Sequence, residues 1–103
     1  MEFKKEERFS PRNKKERQLI QALTCTDSES DTAALVRDLM TPVEIEEFAN
    51  RLEAARLIKK GYPYQKISQE LGMSTTTVTR VAHWLLRGCG GYWNVLKKLK
   101  KLK

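Results

Sequence analysis

Apolar residues recur at helical spacing along most of the chain, and no segment alternates between apolar and polar positions as a strand would. Proline and glycine lie between these apolar segments, which is typical of helices joined by short turns. The pattern predicts helices over residues 12–25, 42–60, 64–71, 75–86 and 90–103. A further helix is predicted to start within residues 26–31 and to end at residue 40. The predicted fold class is therefore all-α.

The longest predicted helix carries a strong start signal. Thr41 suits the N-cap, Pro42 the first helical position, and Glu44 completes a capping box. Gly61 can adopt the left-handed conformation that ends a helix. Five apolar residues at helical spacing predict its buried stripe: Ile45, Phe48, Ala49, Leu52 and Ala55.

Residues 64–86 follow the pattern of a helix-turn-helix. Ser68 is small where two crossing helices approach each other, and Gly72 stands where the turn needs a positive φ. Five apolar positions are predicted to fill the wedge between the helices: Ile67, Leu71, Met73, Val78 and Val81. A small residue, a glycine and these apolar positions in register indicate a DNA-binding motif. The alternative is a helix pair that only packs.

Charge strengthens the DNA interpretation. The 103 residues carry 20 Lys and Arg against 13 Asp and Glu, a net charge of +7. That charge is uneven, with +3 in residues 1–18, −3 in residues 19–61 and +7 in residues 62–103. A basic C-terminal part beside an acidic middle predicts a surface for nucleic acid. The alternative is a charge excess that only keeps the chain soluble.

The second helix of the motif presents hydroxyl side chains and one arginine on its free side: Ser74, Thr75, Thr76, Thr79 and Arg80. Successive threonines are poor helix formers. Their short hydroxyl and methyl groups would let the helix approach base edges and thymine methyls in a major groove. The helix N-terminus attracts a phosphate. On the first helix, Gln65 and Lys66 are predicted to hold the DNA backbone.

Five short motifs occur in order along the chain: Thr41-Pro42, Arg51, Gly61, Gln69-Glu70-Leu71-Gly72 and Thr77-Val78-Thr79-Arg80. Over about residues 12–88 they resemble the Trp repressor superfamily. The short ending at residues 86–92 is similar to the YerC/YecD-type Trp-repressor-like branch. The resemblance implies an all-helical, intertwined homodimer that places two recognition helices in successive major grooves of a pseudo-palindromic operator. It also implies that Thr75, Thr76 and Thr79 face the bases and that Thr77 approaches the phosphate backbone.

The resemblance further implies an amino-acid pocket, in which Arg51 and Arg80 match two arginines that sandwich an indole and Thr41 matches the start of the central helix. Two positions depart from the family, because Val81 stands in place of a glycine and Trp84 in place of a serine. Valine narrows the space for the ring, and tryptophan replaces a small polar group. We therefore predict that free tryptophan is not the effector, with the effector itself unidentified. Trp84 is expected either to cap the site by stacking on an arginine or to pack in the core.

Other functions receive little support from the sequence. Cys25 and Cys89 lie far apart without metal-ligand spacing, and no catalytic constellation is visible, so we predict reduced thiols, no metal, no cofactor and no enzyme. His83 is expected to be exposed or near DNA rather than to bind metal. The absence of a long apolar run and of an apolar stretch after the first charges predicts a cytoplasmic protein without membrane contact.

Three parts of the chain are predicted: a flexible basic arm at residues 1–11, a DNA-binding domain at 12–88 and a basic amphipathic segment at 89–103. The last segment is expected to pack as a final helix, ahead of a DNA-backbone contact or a membrane-surface helix. The leading hypothesis is a homodimeric, sequence-specific transcriptional regulator, with repression as the expected action. The alternatives are a DNA-binding module for replication initiation or recombination, and a protein-interaction module without DNA binding.

Overall fold

The computed structural model describes residues 9–101 and contains six helices and no strand within that range. The helices are α1 (Lys14–Thr24), α2 (Glu29–Leu39), α3 (Pro42–Lys59), α4 (Tyr64–Leu71), α5 (Thr75–Arg87) and α6 (Gly91–Lys101). This confirms the all-α prediction, and the predicted boundaries agree with those of the structure to within a few residues. Residues 1–8 of the predicted arm, and the last two residues of the predicted tail, lie outside the described range.

Polar side chains explain where several helices begin. Asn13 Oδ1 accepts from the backbone N–H of Glu16 at 2.9 Å, and this bond caps α1. At α3 the predicted capping box is confirmed. Thr41 Oγ1 accepts from the Glu44 N–H at 3.1 Å, and Glu44 Oε1 accepts from the Thr41 N–H at 2.9 Å. These bonds satisfy backbone donors that have no partner within the helix.

The chain divides into two compact units, Phe9–Glu47 and the residues from Phe48 onward, with the boundary inside α3. The first unit has no buried residue in α1 or α2. Instead, five large apolar side chains of this unit are between 39% and 74% exposed: Leu19, Ile20, Leu23, Leu39 and Val43. This unit therefore leaves much of its apolar surface uncovered within one chain.

The second unit has a small core to which α3, α4, α5 and α6 all contribute: Ala54, Ala55, Leu57, Ile67, Val78, Val81, Leu85 and Leu96. The predicted stripe of α3 is partly confirmed, because Ala55 is buried and Leu52 packs half-buried against the core, whereas Phe48 is 42% exposed. Apolar residues lie on more than one side of α3, so periodicity did not single out the side that packs. The packed side carries alanines, which let neighbouring helices approach closely.

Gly88 ends α5 at a point with no room for a side chain. Its N–H donates to the Trp84 carbonyl at 3.0 Å, and a Cβ on Gly88 would lie 2.5 Å from that oxygen. We expect Gly88→Ala to lower the free energy of unfolding by about 1–3 kcal/mol, because backbone must move to relieve the overlap. Urea denaturation followed by circular dichroism measures this change.

Gly91→Ala is the matched control, because a Cβ on Gly91 would meet nothing within 4 Å and the residue lies in the first turn of α6. Alanine favours a helix over glycine, so this variant should be neutral or slightly stabilised. Equal stability of the two variants would contradict the steric interpretation of Gly88.

Candidate nucleic-acid interface

The turn between α4 and α5 has the predicted geometry. Gly72 adopts φ 65° and ψ 30°, the left-handed region that glycine favours. The Met73 N–H donates to the Ser68 carbonyl at 3.1 Å, and the Ser68 hydroxyl donates to the Met73 carbonyl. Ser68 therefore does more than leave room for a neighbouring helix, since its side chain also holds the turn to α4. The turn in this way sets where α5 begins.

The start of α5 is held by a pair of hydroxyl residues. Ser74 Oγ accepts from the Thr77 N–H at 3.1 Å and shares a 2.9 Å hydrogen bond with Thr77 Oγ1. Because Thr77 Oγ1 is hydrogen-bonded to Ser74 and the residue is half-buried, its hydroxyl takes part in the cap of the helix. A capped N-terminus presents the first turn of α5 in one conformation, which a surface that reads bases requires.

Seven of the eight residues predicted to contact DNA are exposed: Gln65, Lys66, Ser74, Thr75, Thr76, Thr79 and Arg80. They lie on α4, on the turn and on the first half of α5, and these two helices pack against each other. The Lys66 ammonium is 5.4 Å from the centre of the Tyr62 ring, at cation–π distance. The charged residues between 64 and 80 are Lys66, Glu70 and Arg80, so this surface is hydroxyl-rich and weakly basic.

The residues predicted for an effector pocket differ in their local environments. The Thr41 hydroxyl serves the capping box, Val81 is fully buried in the core and Arg80 is exposed. The Arg51 guanidinium lies 5.4 Å from the centre of the Phe48 ring, and its Nε is buried and has no hydrogen-bond partner within residues 9–101. Burial raises the pKa of Tyr92, while the positive charge of Arg51 acts in the opposite direction.

Trp84 lines an open groove of about 390 Å³ together with Leu52, Gly91, Tyr92 and Val95. Its side chain is 43% exposed, so the expectation that it packs in the core is wrong. Within residues 9–101, the cation–π contacts of arginine and lysine involve Phe48, Tyr62 and Trp93 but not Trp84. Trp84 is therefore not stacked on an arginine either. The groove residues of α6 were not predicted as part of a site, although the apolar spacing of that helix was a signal for them.

The basic C-terminal segment forms α6 and packs against α5. Leu96 is buried in the core, and the Lys59 ammonium lies 4.8 Å from the centre of the Trp93 ring. Lys97, Lys98 and Lys100 are exposed. The helix thus covers part of the second unit with its apolar side and adds positive charge to the surface of that unit.

Cys25 and Cys89 are free and exposed. In the part of the chain that the structure describes, no group of three His, Cys, Asp or Glu side chains could hold a metal ion. None of the helices over residues 9–101 is long and apolar enough to span a membrane.

The capped recognition helix, the left-handed glycine turn and the all-helical fold define a helix-turn-helix protein. The chain belongs to the Trp repressor family, whose model, described as Trp repressor protein, matches residues 14–100. The family is one of regulatory, DNA-binding proteins.

Relatives of the chain agree with this assignment. It is 42% identical over 64 residues to the uncharacterized protein YerC of Bacillus subtilis (strain 168). This match spans 62% of the length of each protein. Two solved structures have the same fold. A TrpR-like protein from Eubacterium eligens ATCC 27750 superposes with a TM-score of 0.80 at 28% identity over 86% of this chain and 92% of that chain. A Staphylococcus aureus protein described as a candidate Trp repressor superposes with a TM-score of 0.79 at 32% identity. This match covers 86% of this chain and 89% of that chain.

Proposed function

We propose that this chain is a homodimeric transcriptional regulator, most simply a repressor, that binds specific DNA sequences through the helix-turn-helix of α4 and α5. The observation that carries the proposal is the exposed hydroxyl-rich and basic surface at the capped start of α5. A surface that served only packing would be apolar and buried. Family membership and the +7 charge of residues 62–103 support the same conclusion.

The contacts divide into two kinds. Thr75, Thr76 and Thr79 lie on the first turns of α5 and would face base edges in the major groove. Lys66 and Arg80 carry the charges that would neutralise phosphates. Three uncharged residues would join these charges in contacting the backbone and so position the recognition helix: Gln65, Ser74 and Thr77. Phosphate contacts set where the protein sits, and base contacts set which sequence it prefers.

A second copy of the chain is the partner that we propose for the first unit. Leu19 and Leu23 of α1 are about two-fifths exposed, so covering the rest of each side chain would gain about 0.6–1.2 kcal/mol. A dimer covers such surface and supplies the two-fold symmetry that matches a pseudo-palindromic operator. Within this proposal, residues 12–88 form the DNA-binding and dimerising domain, residues 1–11 a basic arm, and residues 89–103 a basic amphipathic segment. Cytoplasmic localisation is part of the same proposal, because the protein must reach the DNA that it binds.

We expect DNA binding to be independent of free tryptophan. Val81 stands where a ligand ring would lie in the family's pocket and is fully buried, and Trp84 replaces a small polar residue. Calorimetric titration with tryptophan should therefore give no binding isotherm, and tryptophan should leave the affinity for DNA unchanged. The control is the double variant Val81→Gly, Trp84→Ser, which restores the small residues. A clear isotherm with the wild-type protein would contradict the prediction.

The proposal includes an effector that differs from tryptophan in shape. The buried Arg51 Nε, which has no hydrogen-bond partner among the described residues, is the polar group that such a molecule would engage.

Selection from a random pool of duplex DNA tests the proposed function. The wild-type protein should enrich a two-fold symmetric sequence, and its affinity for that sequence should fall steeply as salt rises. Repeating the selection with a mixture of amino acids tests for an effector among them. A pool that shows no enrichment, together with no salt-dependent binding to genomic DNA, would contradict DNA binding and favour a protein-interaction module.

A further inference from the structure

We propose that Thr79 reads DNA through its methyl group and not through its hydroxyl, so that it selects a thymine at one position of each half-site. This inference rests on the proposed function and specifies the chemistry of that same surface. It starts from the hydrogen bond in which Thr79 Oγ1 donates to the backbone carbonyl of Thr75 at 2.9 Å.

A threonine hydroxyl has one proton to donate. Because the proton of Thr79 is already directed to a carbonyl of its own helix, the side chain has no donor left for DNA, and its oxygen, which keeps acceptor lone pairs, is held against the helix backbone by the same bond. Guanine N7 and O6, adenine N7 and thymine O4 are all acceptors in the major groove, and each of them needs a donor from the protein. Thr79 could serve them only if it first broke its bond to Thr75, which would leave that carbonyl without the bond.

The same hydrogen bond decides which branch of the side chain faces a partner. It holds Oγ1 against the backbone of the preceding turn, as is common for threonine within a helix. The methyl group is the other branch at Cβ and makes no hydrogen bond. Since Thr79 is exposed, this methyl is its available contact group. Among the major-groove edges of the four DNA bases, an apolar contact is offered by the C5-methyl of thymine.

Thr75 and Thr76 differ from Thr79 in this respect. Both are exposed, and neither hydroxyl makes a hydrogen bond within the described residues, so each keeps its donor. The surface therefore combines two threonines that can donate to base edges with one that presents an apolar group. This difference supplies a matched control on the same helix.

The experiment uses the full chain and the duplex that the wild-type protein selects from a random pool. Each thymidine of a half-site is replaced in turn by deoxyuridine, which lacks only the C5-methyl, in both half-sites together. We expect one position at which this replacement weakens wild-type binding by about fourfold per half-site, the effect of one buried methyl-sized group.

Two variants then separate the branches of Thr79. Thr79→Val keeps a methyl and removes the hydroxyl, so it should bind within about twofold of the wild type and keep the response to deoxyuridine. Thr79→Ser keeps the hydroxyl and removes the methyl, so its affinity for the duplex should fall by about fourfold per half-site. Its binding should also no longer be weakened by deoxyuridine at that position. Thr76→Val, the control, should keep the wild-type response there. Circular dichroism confirms that the variants are folded.

The inference is overturned if Thr79→Val loses as much affinity as Thr79→Ser, or if deoxyuridine has no effect at any position. It is also overturned if the Thr79→Ser variant still responds to the replacement. These results differ from a failure of the proposed function, in which no sequence is enriched and no duplex is available for the comparison.

Discussion

Arg80→Ala is expected to lower the affinity for every DNA sequence by about 30-fold at 0.15 M salt, provided that each protomer of a dimer loses one phosphate contact. Each neutralised phosphate contributes about 0.9 to the slope of log affinity against log salt, so the loss of two should reduce that slope by about 1.8. Lys66→Ala should have a similar effect, and the affinity of the double variant for DNA should be about 10³-fold lower than that of the wild type. Both side chains are exposed on the helix-turn-helix. Gel-shift titrations at several salt concentrations measure affinity and slope together.

Lys15→Ala provides the matched control, because it removes an equal charge from an exposed position on α1, outside the helix-turn-helix. Its slope should stay close to that of the wild type. A uniform loss across sequences distinguishes phosphate contacts from base contacts, which instead change the preferred sequence. The phosphate assignment would be wrong if Arg80→Ala and Lys66→Ala left both affinity and slope at the wild-type values.

The double substitution Leu19→Glu, Leu23→Glu should prevent dimerisation and unfold much of the protein. A dimer would bury the exposed two-fifths of four of these leucines, so they contribute about 2.4–4.8 kcal/mol. That is a large part of the stability of a small domain, and four glutamates at these positions would oppose association further. We expect sedimentation to show monomers at micromolar concentration, with a loss of helical signal in circular dichroism. For the wild type, the melting temperature should rise with protein concentration.

Gln21→Glu is the control for this variant, since it adds a negative charge to an exposed position on the side of α1 opposite Leu19 and Leu23. It should remain dimeric. A wild-type protein that sediments as a folded monomer throughout the micromolar range would contradict the dimer, and it would also remove the two-fold symmetry on which the proposed operator depends.

The helix-turn-helix was predictable from sequence because its signals are local. The left-handed turn at Gly72 and the Ser74 cap each involve residues within a few positions of one another. The same holds for the capping box of Thr41 and Glu44 at the start of α3. Such interactions depend on residue type and spacing, so they can be recognised before the tertiary packing is known. The apolar residues predicted to lie between α4 and α5 are likewise buried or half-buried in the structure.

By itself, then, the sequence determined the all-helical class, the order of the helices and the surface that presents hydroxyl and basic groups, since these follow from periodicity, caps and charge. Tertiary structure alone decided which side of α3 is buried and that Trp84 lines a groove with α6, because both depend on helices distant in sequence. It also decided how the threonines of α5 direct their hydroxyls. Identical residue types differ there because a rotamer, which composition does not specify, decides whether the proton bonds to the helix itself or is left for a partner.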